Sequence, residues 1–238
     1  MLELRNLSKT FYQRTEEISV VKKISLRVKK GEVFGFLGLN GAGKTTTVKM
    51  IVGLLFPDSG SIKIRSLPST DLAAKRVIGF MPETPQFYQH LKVFEVLELV
   101  GQLFDLDQAT IIERTDDLLK KVSLYEAKNW PARKLSKGMH QRLSFATALM
   151  NNPALLILDE PLDGLDPLGR LDFKRLIKGL KKQGVTIFFS SHILSDVEEL
   201  CDQVAVIDRG QIIAQGSPKQ LTGRGKSLEE IFVEIVKR

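Results

Sequence analysis

The chain has 238 residues, 43% of them apolar and 26% charged, enough for one large domain or two small ones. That balance excludes a disordered, collagenous or mucin-like polymer, and 35 Lys and Arg against 28 Asp and Glu leave a net charge of +7 that favours an anionic partner. The single cysteine, Cys201, excludes an internal disulfide framework and multi-cysteine metal sites, and makes a reducing compartment the default.

Leu2, Leu4 and Leu7 open an apolar pattern, and residues 18–28 set β-branched side chains among basic ones, so the first 35 residues read as β. Residues 33–37 form a continuous apolar run of the buried-strand kind. A glycine-rich loop follows, then a helix ending near Gly53 and a turn at Pro57-Asp58-Ser59-Gly60. Two short strands are expected at 61–65 and 77–81. Beyond Pro85 the strand signal stops. Val93, Val96, Leu97, Val100, Leu103 and Phe104 keep helical spacing, and Ile111, Ile112, Leu118, Leu119 and Val122 suggest a second helix. Residues 91–117 are acidic, and the stretch from about 85 to 150 reads as a helical insert. An α/β rhythm then returns, with strands at 154–158 and 185–189 and helices at 168–182 and 193–200. A hairpin at 204–207 and 211–214 follows. Trp130 reads as a packing residue of the insert, and the basic side of helix 168–182 as a solvated face. Alternation of strand and helix predicts a single α/β domain over 1–238: a mostly parallel sheet, an antiparallel β portion at the N-terminus, and sites at the strands' carboxyl ends. No apolar run approaches the length of a spanning helix, and the N-terminus lacks the pattern of a signal peptide.

Gly38-Leu39-Asn40-Gly41-Ala42-Gly43-Lys44-Thr45 fits G-x-x-x-x-G-K-[ST] between a strand and a helix, the phosphate loop of a P-loop NTPase. Its glycines let successive amides turn inward around phosphate oxygens, and the helix start adds positive potential. Lys44 is expected to reach the β- and γ-phosphates of ATP and Thr45 to ligate Mg²⁺, with Thr46 completing the nucleotide contacts. Further on, the apolar run at 155–158 ends in Asp159-Glu160-Pro161. Beside a phosphate loop, Asp159 suits the outer shell of Mg²⁺ and Glu160 the general base that polarises the attacking water.

Leu135-Ser136-Lys137-Gly138-Met139-His140-Gln141-Arg142 resembles the LSGGQ-type signature of ATP-binding cassette proteins. Gly164-Leu165-Asp166 resembles that family's D-loop, Ser191-His192 its switch histidine, and Phe11 the aromatic residue that stacks on adenine. The order of these elements over the whole chain is the family's. The resemblance implies two cassettes sandwiching two ATP molecules head to tail, with Ser136 and Gly138 acting in trans on the γ-phosphate and His192 holding the phosphate and the water. Hydrolysis would then weaken the dimer and become an opening motion. Three positions depart from the pattern: Lys137 stands for glycine, Met139 for glutamine, and Glu83 for the Q-loop glutamine. Glu83 can still accept a Mg²⁺-bound water, and Gln86 is the alternative if the loop is shifted.

Glu83, the Lys137-Gly138-Met139 form and the tail, Gly216-Ser217-Pro218 then Ser227-Leu228-Glu229-Glu230-Ile231-Phe232, resemble the ABC-2-type exporter branch. The resemblance implies an ATPase subunit held at the cytoplasmic face of the membrane by a separate integral permease, with no nucleic-acid partner. That permease would dock a short helix between the core and the helical insert. The competing readings are a soluble cassette acting on ribosomes or nucleic acid, and a weakly hydrolysing regulatory cassette.

Overall fold

The computed structural model describes residues 1–13, 16–222 and 229–230. Residues 227, 228, 231 and 232 of the exporter-like tail lie outside them. In chain order the elements are β1 (Leu2–Gln13), β2 (Glu16–Val28), β3 (Val33–Leu37), α1 (Lys44–Ile51), β4 (Ser59–Ile64), β5 (Leu67–Pro68), α2 (Leu72–Lys75) and β6 (Ile78–Met81). The insert supplies α3 (Val93–Leu103), α4 (Gln108–Lys121) and α5 (Lys137–Leu149). After it come β7 (Leu155–Asp159), α6 (Pro167–Lys182), β8 (Thr186–Ser191), α7 (Leu194–Leu200), β9 (Gln203–Asp208), β10 (Gln211–Gly216) and α8 (Pro218–Thr222).

The ten strands among the described residues separate into two sheets. The N-terminal one is antiparallel in the order β2-β1-β4-β5, and the other runs β10-β9-β3-β8-β7-β6, parallel except for its β10 edge. Every residue of β3, β7 and β8 is buried, because both faces of the parallel sheet are covered. Side-chain parity shows by what. Val33, Leu37, Leu156, Leu158, Ile187, Phe189, Val204 and Val206 join the apolar cluster that contains Val93, Leu97, Leu119, Leu143, Phe145, Phe173 and Val197 of the helices. Their neighbours Phe34, Phe36, Leu155, Ile157, Phe188, Ala205 and Ile207 join Leu2, Leu4, Leu26 and Ile62 of the antiparallel sheet and Val48 and Ile51 of α1. The result is three layers, with α3 and α4 sharing the cluster of α5.

Several details depart from the sequence reading. Pairing of β4 starts at Ser59 rather than 61, since Gly60 packs its bare backbone against Arg5 and Asn6 of β1. The hairpin then closes at Arg65 and Ser66, both at positive φ, and β5 and α2 follow without a pattern strong enough to announce them. Trp130 is about half exposed; its carbonyl, accepting from Val93 N, is what packs. The basic face of α6 is not merely solvated, for Lys174 and Lys178 pair with Glu199 of α7. Among the described residues no helix is long and apolar enough to cross a membrane.

Strand register brings four loop starts together. Leu37 lies beside Ser191, Asp159 beside Ser190, and Met81 beside Leu158. The phosphate loop, the acidic strand end, His192 and Glu83 therefore leave neighbouring parallel strands at the same end of the sheet, where such sheets place their sites.

Candidate active site

The loop from β3 to α1 needs its glycines. Gly41 and Gly43 take φ of 82° and 107°, and a Cβ at Gly43 would lie 2.8 Å from Val20 O. One at Gly38 would lie 2.4 Å from Ile207 O. Gly43 caps α1 without a side chain, so the first amides of the helix keep their hydrogens for an outside acceptor. Val20, Asn40, Gly41, Gly43, Lys44, Thr45, Thr46, Glu83 and Glu160 line a cleft of ≈ 260 Å³.

Inside it three side chains form a chain of contacts. Lys44 Nζ donates to the carbonyls of Gly38 (2.7 Å) and Leu39 (3.2 Å) and lies 3.1 Å from Glu160 Oε1, an ion-pair distance without hydrogen-bond geometry. Glu160 Oε2 accepts from His192 Nδ1 at 2.9 Å and from His192 N at 3.3 Å. A carboxylate oxygen accepts, so Nδ1 is the donor of that bond. Glu160 is 6% exposed and holds φ at 48°, a strained value for a residue with a Cβ.

Ser190, which the sequence reading passed over, organises the carboxylates. Its hydroxyl donates to Asp159 Oδ1 at 2.5 Å and accepts from Glu160 N at 3.0 Å. The signal was present in Ser190-Ser191-His192: polar residues closing an apolar strand whose parallel partner ends in Asp159. Burial pushes the Asp159 carboxyl above the ordinary carboxylate range. Hydrogen bonds from Ser190 and Thr45 oppose the shift, and the charges of Glu83 and Glu160 add to it. Glu83 thus belongs to this electrostatic neighbourhood. Gln86 does not: it lines a separate apolar groove of ≈ 480 Å³ with Phe87, Tyr88, Leu91, Leu99 and Val100.

Among the described residues no three His, Cys, Asp or Glu side chains gather closely enough to cage a metal ion. Mg²⁺ does not need such a cage, because it keeps water and phosphate oxygens and takes only one or two protein oxygens. The Thr45 hydroxyl beside the buried Asp159 carboxylate, with a second carboxylate near, is a hard-oxygen donor set that fits it.

The other expected contacts lie outside this cleft. Ser136 caps α5, its Oγ accepting from Met139 N at 3.3 Å, and it is exposed. A Cβ at Gly138 would meet only Leu165 Cδ2 at 3.6 Å, so nothing in the chain itself requires that glycine. Lys137 lies across the D-loop: its Nζ is 3.9 Å from Asp163 Oδ2 and would sit 2.0 Å from a Cβ at Gly164. Gln141 Nε2 donates to the Glu83 carbonyl at 3.3 Å, joining α5 to the loop after β6. Phe11 is 40% exposed on β1 opposite Ile18, with Lys9 Nζ 5.6 Å from its ring centroid, and does not line the cleft.

Comparison with known proteins agrees with this geometry. The family model described as "ABC transporter" matches residues 21–163. An uncharacterized ABC transporter ATP-binding protein of Nostoc sp. is 41% identical over 93% of this chain and 67% of its own length. The lantibiotic transport ATP-binding protein SrtF of Streptococcus pyogenes is 38% identical over 98% of this chain and 96% of its own. Among solved structures, a dimeric ATP-binding cassette in a post-hydrolysis state, bound to ADP and Pi, superposes with a TM-score of 0.85. It is 26% identical, covering 91% of this chain and 98% of that one. With Glu160 just past one strand bonded to His192 just past the next, beside the phosphate loop, and with relatives matching nearly the whole chain, the protein belongs to the ABC transporter family of ATP-binding domains.

Proposed function

We propose that this domain hydrolyses ATP to drive export through a separate integral membrane permease, at the cytoplasmic face, as a single cassette over residues 1–238 with its helical insert at about 85–150. The observation that supports hydrolysis most is the contact chain Lys44–Glu160–His192 at the ends of three neighbouring strands. Amides of the phosphate loop and the α1 N-terminus bind the phosphates, and Lys44 exchanges its carbonyl partners for phosphate oxygens. Thr45 and Asp159 would hold Mg²⁺, with Glu83 accepting from its water, and an ion held there would supply charge neutralisation to the phosphates. Glu160 takes the proton of the water that attacks the γ-phosphorus, ADP leaves, and His192 orients Glu160 through Nδ1.

Ser136, exposed, and Gly138, half-buried, stand at the start of α5, where an outside triphosphate is within reach, which supports their action in trans on a second cassette. The similar cassette bound to ADP and Pi is itself dimeric. The apolar groove beside the Glu83 loop, with Phe87, Tyr88 and Leu99 on its walls, suits an amphipathic segment of the permease. Relatives named for lantibiotic transport and linearmycin resistance support export over import.

The test is ATP hydrolysis by Glu160→Gln. Removing a general base is expected to lower kcat by about 10²–10⁴-fold while MgATP still binds. An unchanged rate would mean that Glu160 does no chemistry.

A further inference from the structure

Asp196 is a carboxylate almost wholly removed from water, 1% exposed, on the first turn of α7. Both its oxygens are used: Oδ2 accepts from Arg170 Nη2 at 2.5 Å and Oδ1 pairs with Lys174 Nζ at 2.8 Å. Arg170 and Lys174 are one turn apart on α6, and Lys174 continues to Glu199 of α7 at 2.5 Å. The two helices already bury Phe173, Ile177, Val197 and Leu200, so apolar packing alone would join them. A buried ion pair is a poor source of stability compared with apolar residues of the same volume. What it adds is direction: two cations on one helix fix a carboxylate on the other to a single geometry.

The position of this lock gives it meaning. Asp196 lies four residues beyond His192. Arg170 lies four residues beyond Asp166, which caps α6 by accepting from Gly169 N at 2.7 Å. The loop to that cap starts from Glu160, whose carbonyl accepts from Asp163 N at 3.1 Å. The two segments leaving β7 and β8 with Glu160 and His192 are therefore tied together again, one turn into their helices, by Asp196.

We propose that Asp196 is a positioning residue, which through Arg170 and Lys174 sets the separation of Glu160 and His192 and with it the rate of the hydrolytic step. The proposal rests on hydrolysis at Glu160 and adds a role for a side chain that touches neither nucleotide nor water. The experiment is a cycle of steady-state ATPase measurements on Asp196→Asn, His192→Ala and the double variant, with Arg170→Lys and Arg170→Gln beside them. Asp196→Asn is expected to lower kcat on the order of tenfold, with KM for MgATP within about twofold, since misplacement affects the reacting geometry and not the phosphate cradle. In the His192→Ala background the same substitution is expected to cost nothing further, and Arg170→Lys to retain more activity than Arg170→Gln. Equal fractional losses in both backgrounds, or a loss confined to melting temperature or KM, overturn the proposal and leave hydrolysis by Glu160 standing. Should Asp196→Asn fail to fold, Arg170→Gln, on the more exposed partner, carries the same comparison with His192→Ala. A wild-type protein whose rate equals that of Glu160→Gln overturns both readings.

Discussion

At the scale of single residues, the site is built from groups placed where they cost stability. Asp159 lies in surroundings that disfavour its charge, beside two other carboxylates. Its folded pKa lies above the unfolded value of 3.8, so the penalty is absent below that value and fully present once pH exceeds the raised one. Asp159→Asn keeps the hydrogen-bond acceptor for Ser190 and Thr45 and removes the charge. We expect it to raise the melting temperature of the nucleotide-free protein by about 2 °C or more at pH 7, with no gain at pH 3, and to abolish Mg²⁺-dependent hydrolysis. Thermal scans at the two pH values check this; a lower melting temperature at pH 7 would contradict the electrostatic account. Lys44, Thr45, Asp159 and Glu160 were legible because a short spacing rule dictates their types. Ser190 was not, because its role exists only through the register that sets it beside Asp159.

At the scale of elements, helix starts do most of the work, and two of them differ in kind. The α1 N-terminus has a glycine cap and offers its amides to an outside anion, whereas α5 is capped by its own Ser136. In the proposed mechanism that hydroxyl has two tasks, stability in cis and γ-phosphate contact in trans, and two substitutions separate them. Ser136→Ala is expected to cost about 1 kcal/mol of cap energy and to lose hydrolysis. Ser136→Asp is an equally good cap and is expected to keep the wild-type melting temperature, yet still to lose hydrolysis by setting a negative charge against the γ-phosphate. Recovery of hydrolysis with recovered stability would show that Ser136 acts only as a cap. Helix positions followed from apolar period for α3 and α4, and strand positions from continuous apolar runs for β3 and β7. Sequence pattern was silent for β5 and α2, two and four residues long; β5 is fixed by pairing with β4, and α2 follows it in the chain.

At the scale of the whole molecule, one face of the parallel sheet carries the antiparallel sheet, α1 and α2, the other α3 to α8, and the shared strand ends hold the site between them. Signature and phosphate loop serve different nucleotides in the proposed mechanism, so a retained γ-phosphate should hold two copies together. Glu160→Gln is expected to run as a dimer with MgATP and as a monomer with MgADP in light-scattering chromatography. A monomer under both conditions would count against action in trans. The sequence by itself determined the α/β class, the phosphate loop, the acidic strand end and the order of the family's elements, because each rests on local spacing or apolar period. Only the tertiary structure decided that Glu83 and not Gln86 faces the cleft, that Lys137 lies over Gly164, and that Asp196 fastens α7 to α6. Those are meetings of residues far apart in the chain, set by strand register and helix packing, and no local pattern encodes them.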